Sequence, residues 1–308
     1  MNKRSDFGVH EFFKWLILCC LFATSVSAKS QENGVVYSLK TTDAWNLIAK
    51  SLTQEKSDIL ITNLPANDFQ ARFDPVYQRL YFDSYRTNQS RNIFQKDWLT
   101  GDIVQLTNLQ TRDGHPDISS DGRYLAFQSG RSGDFEVYVL ELNSNKLEQI
   151  TKSNGFDGIP IWLHDNNNLA YNSSRHGSPD IFIVDRATKK HQRLTHLESN
   201  EFVLDWNNKT QQLLIRSNHQ GKFRLYWLDP LSKSMQEVPL PKALEVLSAQ
   251  LDVRGERLVF IAKSGNEQQV FLYHLIKKTI NQLTFDTSQK RFPAFISMPK
   301  KKEKEAVQ

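Results

Sequence analysis

Short apolar runs alternate along this chain with clusters of Gly, Asn, Asp and Ser, and they recur with a fixed period. One apolar position steps from Phe82 to Phe127, Tyr171, Ile215 and Phe260 at intervals of 45, 44, 44 and 45 residues. Each sits in a triplet such as Leu80-Tyr81-Phe82 or Leu258-Val259-Phe260. A second triplet follows about ten residues later, as in Val137-Tyr138-Val139 and Ile181-Phe182-Ile183. Runs of this length bounded by turn residues read as buried strands. A period of 44 or 45 residues with four short strands per unit marks a β-propeller. Blades stack face to face, so their inner strands meet apolar neighbours on both sides. That is why these triplets do not alternate cleanly between apolar and polar.

The two ends of the repeat complement each other. Arg291-Phe292-Pro293-Ala294-Phe295-Ile296-Ser297 has the pattern of a blade's opening strand without the three strands that should follow. Val35-Val36-Tyr37, Asn46-Leu47-Ile48-Ala49 and Ile59-Leu60-Ile61-Thr62 match those three, Thr62 lying 45 residues before Thr107. Five whole blades and one shared blade predict an all-β, six-bladed propeller closed by N-terminal strands and a C-terminal strand. Sharing one blade between the termini removes the open strand edges an incomplete ring would leave.

Charge and cysteine placement change the picture at the ends. Lys3 and Arg4, the apolar run from Leu16 to Phe22 and the small residues Val26-Ser27-Ala28 predict a secretory signal peptide over residues 1–28. The propeller is then expected over 29–298, with a basic disordered tail over 299–308. Both cysteines, Cys19 and Cys20, fall in the leader, so a mature chain would hold no disulfide and no thiol chemistry. Losing the leader removes three cations and two anions, taking the net charge from +5 to +4, and the tail carries half of that. A basic charge held mostly in a tail does not predict a nucleic-acid partner. The chain is expected to be periplasmic or secreted, a monomer, and without a stable membrane span after signal cleavage.

The blade that opens at Pro116 resembles the repeat of the TolB-like propellers, also called PD40 or WD40-like repeats. The matching residues are Ser120-Asp121-Gly122, Leu125-Ala126-Phe127, Ser129, Arg131, Gly133, Val137-Tyr138 and Ile150-Thr151. The next blade matches at Pro160, Asp165, Leu169-Ala170-Tyr171, Ser173, Arg175, Gly177, Asp180-Ile181-Phe182 and Leu194-Thr195. In the blades of Ile215 and Phe260 only the apolar skeleton remains, with Asn208-Lys209-Thr210 and Val253-Arg254-Gly255 in the turn. The resemblance implies the propeller fold and an exported binding role. TolB carries a separate α/β domain before its propeller, for which no room is expected here, so binding to Pal or other Tol proteins is not carried over.

Most of the motif is structural. Ser120-Asp121-Gly122 suits a tight turn, and each blade's terminal Thr suits a strand end where its hydroxyl meets backbone groups. No Gly-x-Ser-x-Gly, His-Glu-x-x-His or phosphate-binding glycine loop occurs. No catalytic residue, metal or cofactor is expected. Arg86, Arg131 and Arg175 share one repeat position after the second strand, and His219 follows in the same register. They suit a partial positive arc at a pore mouth that takes an acidic peptide or a carboxylate, or equally a brace for loop and blade. Asp113 and Asp157 are expected in equivalent loops ahead of first strands, with His115 in a neighbouring loop. The leading expectation is a non-catalytic module that binds a protein or peptide in the cell envelope. Two alternatives stay open: a lyase or lactonase using a channel metal on a saccharide or lactone, and the sensory domain of a membrane-tethered regulator.

Overall fold

The computed structural model describes residues 33–53, 58–87 and 90–298. The expected leader, 1–28, and the basic tail, 299–308, lie outside the described residues. Every regular element among the described residues is a strand. The chain opens with β1 (Gly34–Lys40), β2 (Trp45–Ser51) and β3 (Ile59–Leu60). Blade I follows as β4 (Asp68–Asp74), β5 (Arg79–Ser84), β6 (Asn92–Asp97) and β7 (Ile103–Gln105). Blade II is β8 (Asp113–Ile118), β9 (Tyr124–Ser132), β10 (Asp134–Glu141) and β11 (Lys146–Gln149). Blade III is β12 (Asp157–Trp162), β13 (Asn168–Ser173), β14 (Asp180–Asp185) and β15 (Lys190–Arg193). Blade IV is β16 (Glu201–Asn207), β17 (Gln212–Ser217), β18 (Arg224–Leu228) and β19 (Met235–Glu237). Blade V is β20 (Glu245–Leu251), β21 (Arg257–Ser264), β22 (Glu267–His274) and β23 (Thr279–Gln282), and β24 (Lys290–Ile296) ends the series.

Each of the six sheets has four antiparallel strands, and the closing sheet runs β24-β1-β2-β3. Val35 pairs with Phe295 and Val36 with Ala294, as the complementary ends predicted. Met298 N donates to Asn33 Oδ1 at 2.6 Å, and Trp98 Nε1 donates to Ser297 O at 2.8 Å, tying blade I to the closure.

The packing explains why the apolar runs ignore alternation. Six hydrophobic clusters fill the six gaps between neighbouring blades. Val137 and Val139 of blade II meet Tyr171 and Phe182 of blade III. Val259 and Val270 of blade V meet Val35 and Tyr37 of the closing blade, whose Val36 and Leu47 meet Leu80 and Phe82 of blade I. Trp162 packs into the gap between blades II and III, and Trp206 into the gap between blades III and IV. The terminal threonines act as expected: Oγ1 of Thr62, Thr107, Thr151, Thr195 and Thr284 accepts the N–H of Leu47, Ile93, Val137, Ile181 and Val270 at 2.8–3.0 Å. Gly122 closes the Ser119–Gly122 turn at φ +69°, and its N–H donates to Ser119 O at 2.8 Å. Among the described residues no helix is long and apolar enough to cross a membrane.

Candidate functional site

Two sets of polar residues stand near the start of the inner strands. The outer set holds the positions singled out from the repeat. Asp68, Asp113 and Asp157 are the first residues of β4, β8 and β12, fully buried rather than in loops. Their place follows from the ladder: Asp113 pairs with Ser129 and Asp157 with Ser173, so the strand begins two residues earlier than the apolar pattern indicates. Arg86 Nη2 donates to both oxygens of Asp68 at 3.0 and 2.9 Å. Arg131 reaches Asp113 at 3.2 Å and Arg175 reaches Asp157 at 2.6 Å. Each Nε donates to a serine of the same blade, Ser84, Ser129 or Ser173, at 2.8–3.0 Å. Each guanidinium also lies over two rings of its own blade: Phe82 and Phe94, Phe127 and Tyr138, Tyr171 and Phe182.

The structure therefore sets these arginines on one face, as the repeat predicted, each paired with its own aspartate. His219 occupies the corresponding place in blade IV without an acidic contact of its own. Its Nδ1 lies 3.0 Å from Ser217 Oγ, which donates to Glu201, and its ring centroid lies 4.7 Å from that of Tyr226, tilted at 49°. His176 stacks on Phe182. Among the described residues no group of three or more His, Cys, Asp and Glu side chains converges as metal ligands would.

The inner set surrounds the axis, and it rests on a bulge. In every inner strand the register shifts once, for example between Gly114 and Asp117 of β8 and between Gly158 and Ile161 of β12. In four strands a non-glycine residue there takes a left-handed backbone: Gln70, His115, Ile159 and Phe292, at φ 50–55°. For a β-branched residue such as Ile159 this conformation is costly. Pro116, Pro160 and Pro293 follow three of them, and proline has no N–H to give to the ladder.

Side chains from the preceding blade satisfy backbone groups that the bulges leave unpaired. Gln128 Oε1 accepts Ile159 N–H at 3.2 Å, and Asn172 Oδ1 accepts Val203 N–H at 3.0 Å. Arg216 Nη1 donates to Leu247 O, and all three contacts span 31 residues. Gly158 permits the first of them, since a Cβ there would stand 2.5 Å from Gln128 Oε1.

Inside the ring of bulges is a cavity of about 150 Å³. Its walls include residues from the inner strands of all six blades: Gln70, His115, Ile159, Val203, Leu247 and Phe292. Arg72 crosses the axis. Its Nε pairs with Asp117 Oδ1 at 3.1 Å, and its Nη2 donates to Leu204 O, 132 residues away on the opposite blade, at 3.1 Å. Asp117 also accepts Trp162 N–H at 2.7 Å, and Asp205 accepts Leu251 N–H at 2.8 Å. Burial pushes the Asp117 carboxyl up to about 7 against the opposing pull of Arg72, and it raises Asp205 as well. Asp83, behind this wall, is pushed up to about 6 by burial, with Arg91 opposing.

His115 lies on the bulge of β8 rather than in a loop, its two ring nitrogens 2.9 and 2.7 Å from Gln70 Nε2. Burial, reinforced by Arg91, Arg72 and Arg216, holds its imidazole well below the usual histidine range, so it is neutral at pH 7. Arg216 packs over the rings of Phe202 and Phe223, 4.7 Å from each centroid. Burial lowers its guanidinium to about 10, still charged at neutral pH.

Sequence reasoning singled out Arg86, Arg131, Arg175, His219, Asp113, His115 and Asp157, without Asp68 or the Asp–Arg pairing, and missed Arg72, Asp117, Asp205 and Arg216. One signal was available. In four of the five blades the residue after the apolar series is polar, namely Asp83, Gln128, Asn172 and Arg216, while Ile261 follows Phe260.

Comparison with known proteins bears on this architecture. The PD40 family, described as the TolB beta propeller domain, matches residues 26–238. TolB from Acinetobacter baumannii is 19% identical, with a TM-score of 0.77 over 92% of this chain and 71% of that one. A protein described as TolB from Agrobacterium tumefaciens is 14% identical, with a TM-score of 0.64 over 81% of this chain and 87% of that one. An oligogalacturonate lyase in complex with manganese is 13% identical, with a TM-score of 0.59 over 82% of this chain and 74% of that one. At these identities the structural likeness speaks for the fold alone. No curated protein matches the sequence.

Proposed function

The chain belongs to the TolB β-propeller family, and from that premise we propose that it is an exported, non-catalytic module that binds a protein or peptide in the periplasm. One observation carries the reading. Leu64, Leu109, Leu197 and Phe285 stand one or two residues beyond the terminal Thr of their blades and are 46%, 39%, 37% and 77% exposed. All four lie on connections from an outermost strand to the next inner strand, so the topology sets them on one face. Tyr85, on an inner connection of blade I, joins that face at 36% exposure. Apolar side chains gathered on one face of a soluble ring mark a protein contact surface. At the opposite end the exposed Leu99, Leu231 and Ile276 stand on outer hairpin tips, and Val76 and Tyr77 on the β4–β5 turn.

The docking face also carries the outer polar set. Arg131 and Arg175 keep 18% and 22% of their side chains exposed, and Arg86 keeps 8%. In this reading acidic side chains of the partner approach those edges and His219, with Asp113, His115 and Asp157 behind them. The protein acts as a monomer, with residues 1–28 removed on export. Replacing Leu109, Leu197 and Phe285 together by Asp tests the proposal. Crosslinking in the native envelope should lose the partner captured by the wild type while the melting temperature stays unchanged. Capture undiminished by the triple substitution would overturn it.

A further inference from the structure

We infer that the axial cavity is a binding site for a small organic monocarboxylate, held through Arg216. The inference is separate from the docking reading, because it concerns the interior of the ring.

Charge carries the first part of the argument. Arg72, Arg86, Arg131 and Arg175 each have a carboxylate within ion-pair distance. Arg216 has no carboxylate within 4.0 Å among the described residues, and Glu245 attracts it only from farther away. Its two ring contacts, with Phe202 and Phe223, take none of its in-plane N–H groups. Its Nε is buried without a hydrogen-bond partner. A buried, unpaired cation is expensive to keep, and a neutral residue serves in the same place in the blades of Gln128 and Asn172.

A second orphan points the same way. Ser248 Oγ is also buried and unpartnered, it lines the same cavity, and it follows Leu247, whose carbonyl Arg216 holds. One carboxylate between them would accept from both the Arg216 Nε–H and the Ser248 hydroxyl, a charge-assisted pair of bonds. The remaining walls are mostly apolar, including Ile159, Leu204 and Phe292, and their polar members are already engaged: Gln70 with His115, and Arg72 with Asp117 and Leu204 O. A dry apolar cavity of about this size holds a benzene-sized body. The site therefore fits a single carboxylate on a short aliphatic or aromatic body. A second carboxylate would find no free cation, because Arg72, which also lines the cavity, is already paired with Asp117.

Calorimetry and thermal shift on the full propeller test this, with benzoate, its neutral analogue benzamide, and the dianion phthalate as probes. Benzoate should raise the melting temperature of the wild type, with benzamide and phthalate each binding on the order of 10- to 100-fold more weakly. Arg216→Met should lose benzoate by the same factor while still melting cooperatively, because removal of an unpaired buried charge offsets the lost bond to Leu247 O. Ser248→Ala should weaken benzoate by a smaller factor. Equal binding of benzoate to Arg216→Met and wild type would overturn the inference, as would no benzoate shift in the wild type at millimolar concentration. Neither result touches the partner-capture test of the exposed apolar face.

Discussion

Blades I to III and blades IV and V share one strand order and one period, yet they manage charge differently. In the first three, an aspartate opens the inner strand and an arginine 18 residues later pairs with it. Ring faces and a serine complete the enclosure, so each unit is internally neutral. In blade IV, Glu201 and His219 replace that pair, and a cation sits three residues earlier, as Arg216, turned toward the axis. In blade V, Glu245 opens the inner strand opposite Lys263 in the ladder. The closing blade opens with Lys290, fully buried and bound to Asp286 Oδ1 at 2.9 Å. Groups that repeat are charge-paired within their blade and serve the fold. Groups that break the repeat, with Arg216 foremost, leave unmet capacity at the axis, where a ligand can use it.

The largest test asks whether the three neutral units could hold the ring without closure. Deleting Phe292–Ser297 removes most of β24 and its share of two inter-blade clusters. It also exposes the edge of β1. The expected result is loss of cooperative unfolding, or a destabilisation of more than about 5 kcal/mol, comparable to the whole stability of an ordinary domain. Circular dichroism melting reads it directly. A truncated chain that melts like the full one would mean that blades I to III carry the structure by themselves.

The next test sets blade II against blade IV. Arg131→Gln strands the buried carboxylate of Asp113, so it should cost about 3 kcal/mol in urea unfolding. His219→Gln removes a ring packed at a tilt on Tyr226 with no acidic contact of its own and should cost under about 1 kcal/mol. Adding Asp113→Asn to Arg131→Gln should recover most of the loss, because no uncompensated charge remains. Equal costs for the two single substitutions would erase the distinction between the blades.

The fold was legible because its determinants repeat. The apolar register from Phe82 to Phe260, the terminal threonines and the complementary ends are each visible as spacing. Half of the polar story was legible on the same ground, since Arg86, Arg131 and Arg175 share one register. The pairing of Asp113 with Arg131 was within reach, because the same interval of 18 residues recurs in three blades. The axial site was not legible, for two physical reasons. A bulge shifts each inner strand by one residue, so period-two reasoning assigns the wrong face to His115 and its equivalents. Arg72 meets Leu204 across three blades, a contact that no local pattern encodes.

The smallest effect separates two carboxylates of the same strand, β8. Asp113 is held by Arg131 at the strand's start, whereas Asp117 faces the axis, where burial takes its carboxyl from 3.8 up to about 7. Between those values the folded protein keeps a proton that the unfolded chain releases. The stability tied to Asp117 is therefore fully present below the unfolded value and is lost as pH rises through about 7. Asp83, pushed up to about 6, acts with the same sign. Wild-type stability should fall between about pH 5 and pH 8 by on the order of 1–2 kcal/mol from Asp117, and Asp117→Asn should flatten that part of the slope. Urea midpoints at several pH values across this window decide the matter. Parallel curves for the two proteins would mean that Arg72 keeps Asp117 ionised throughout. The axis would then carry the same paired charge as blades I to III, and Arg216 alone would set it apart.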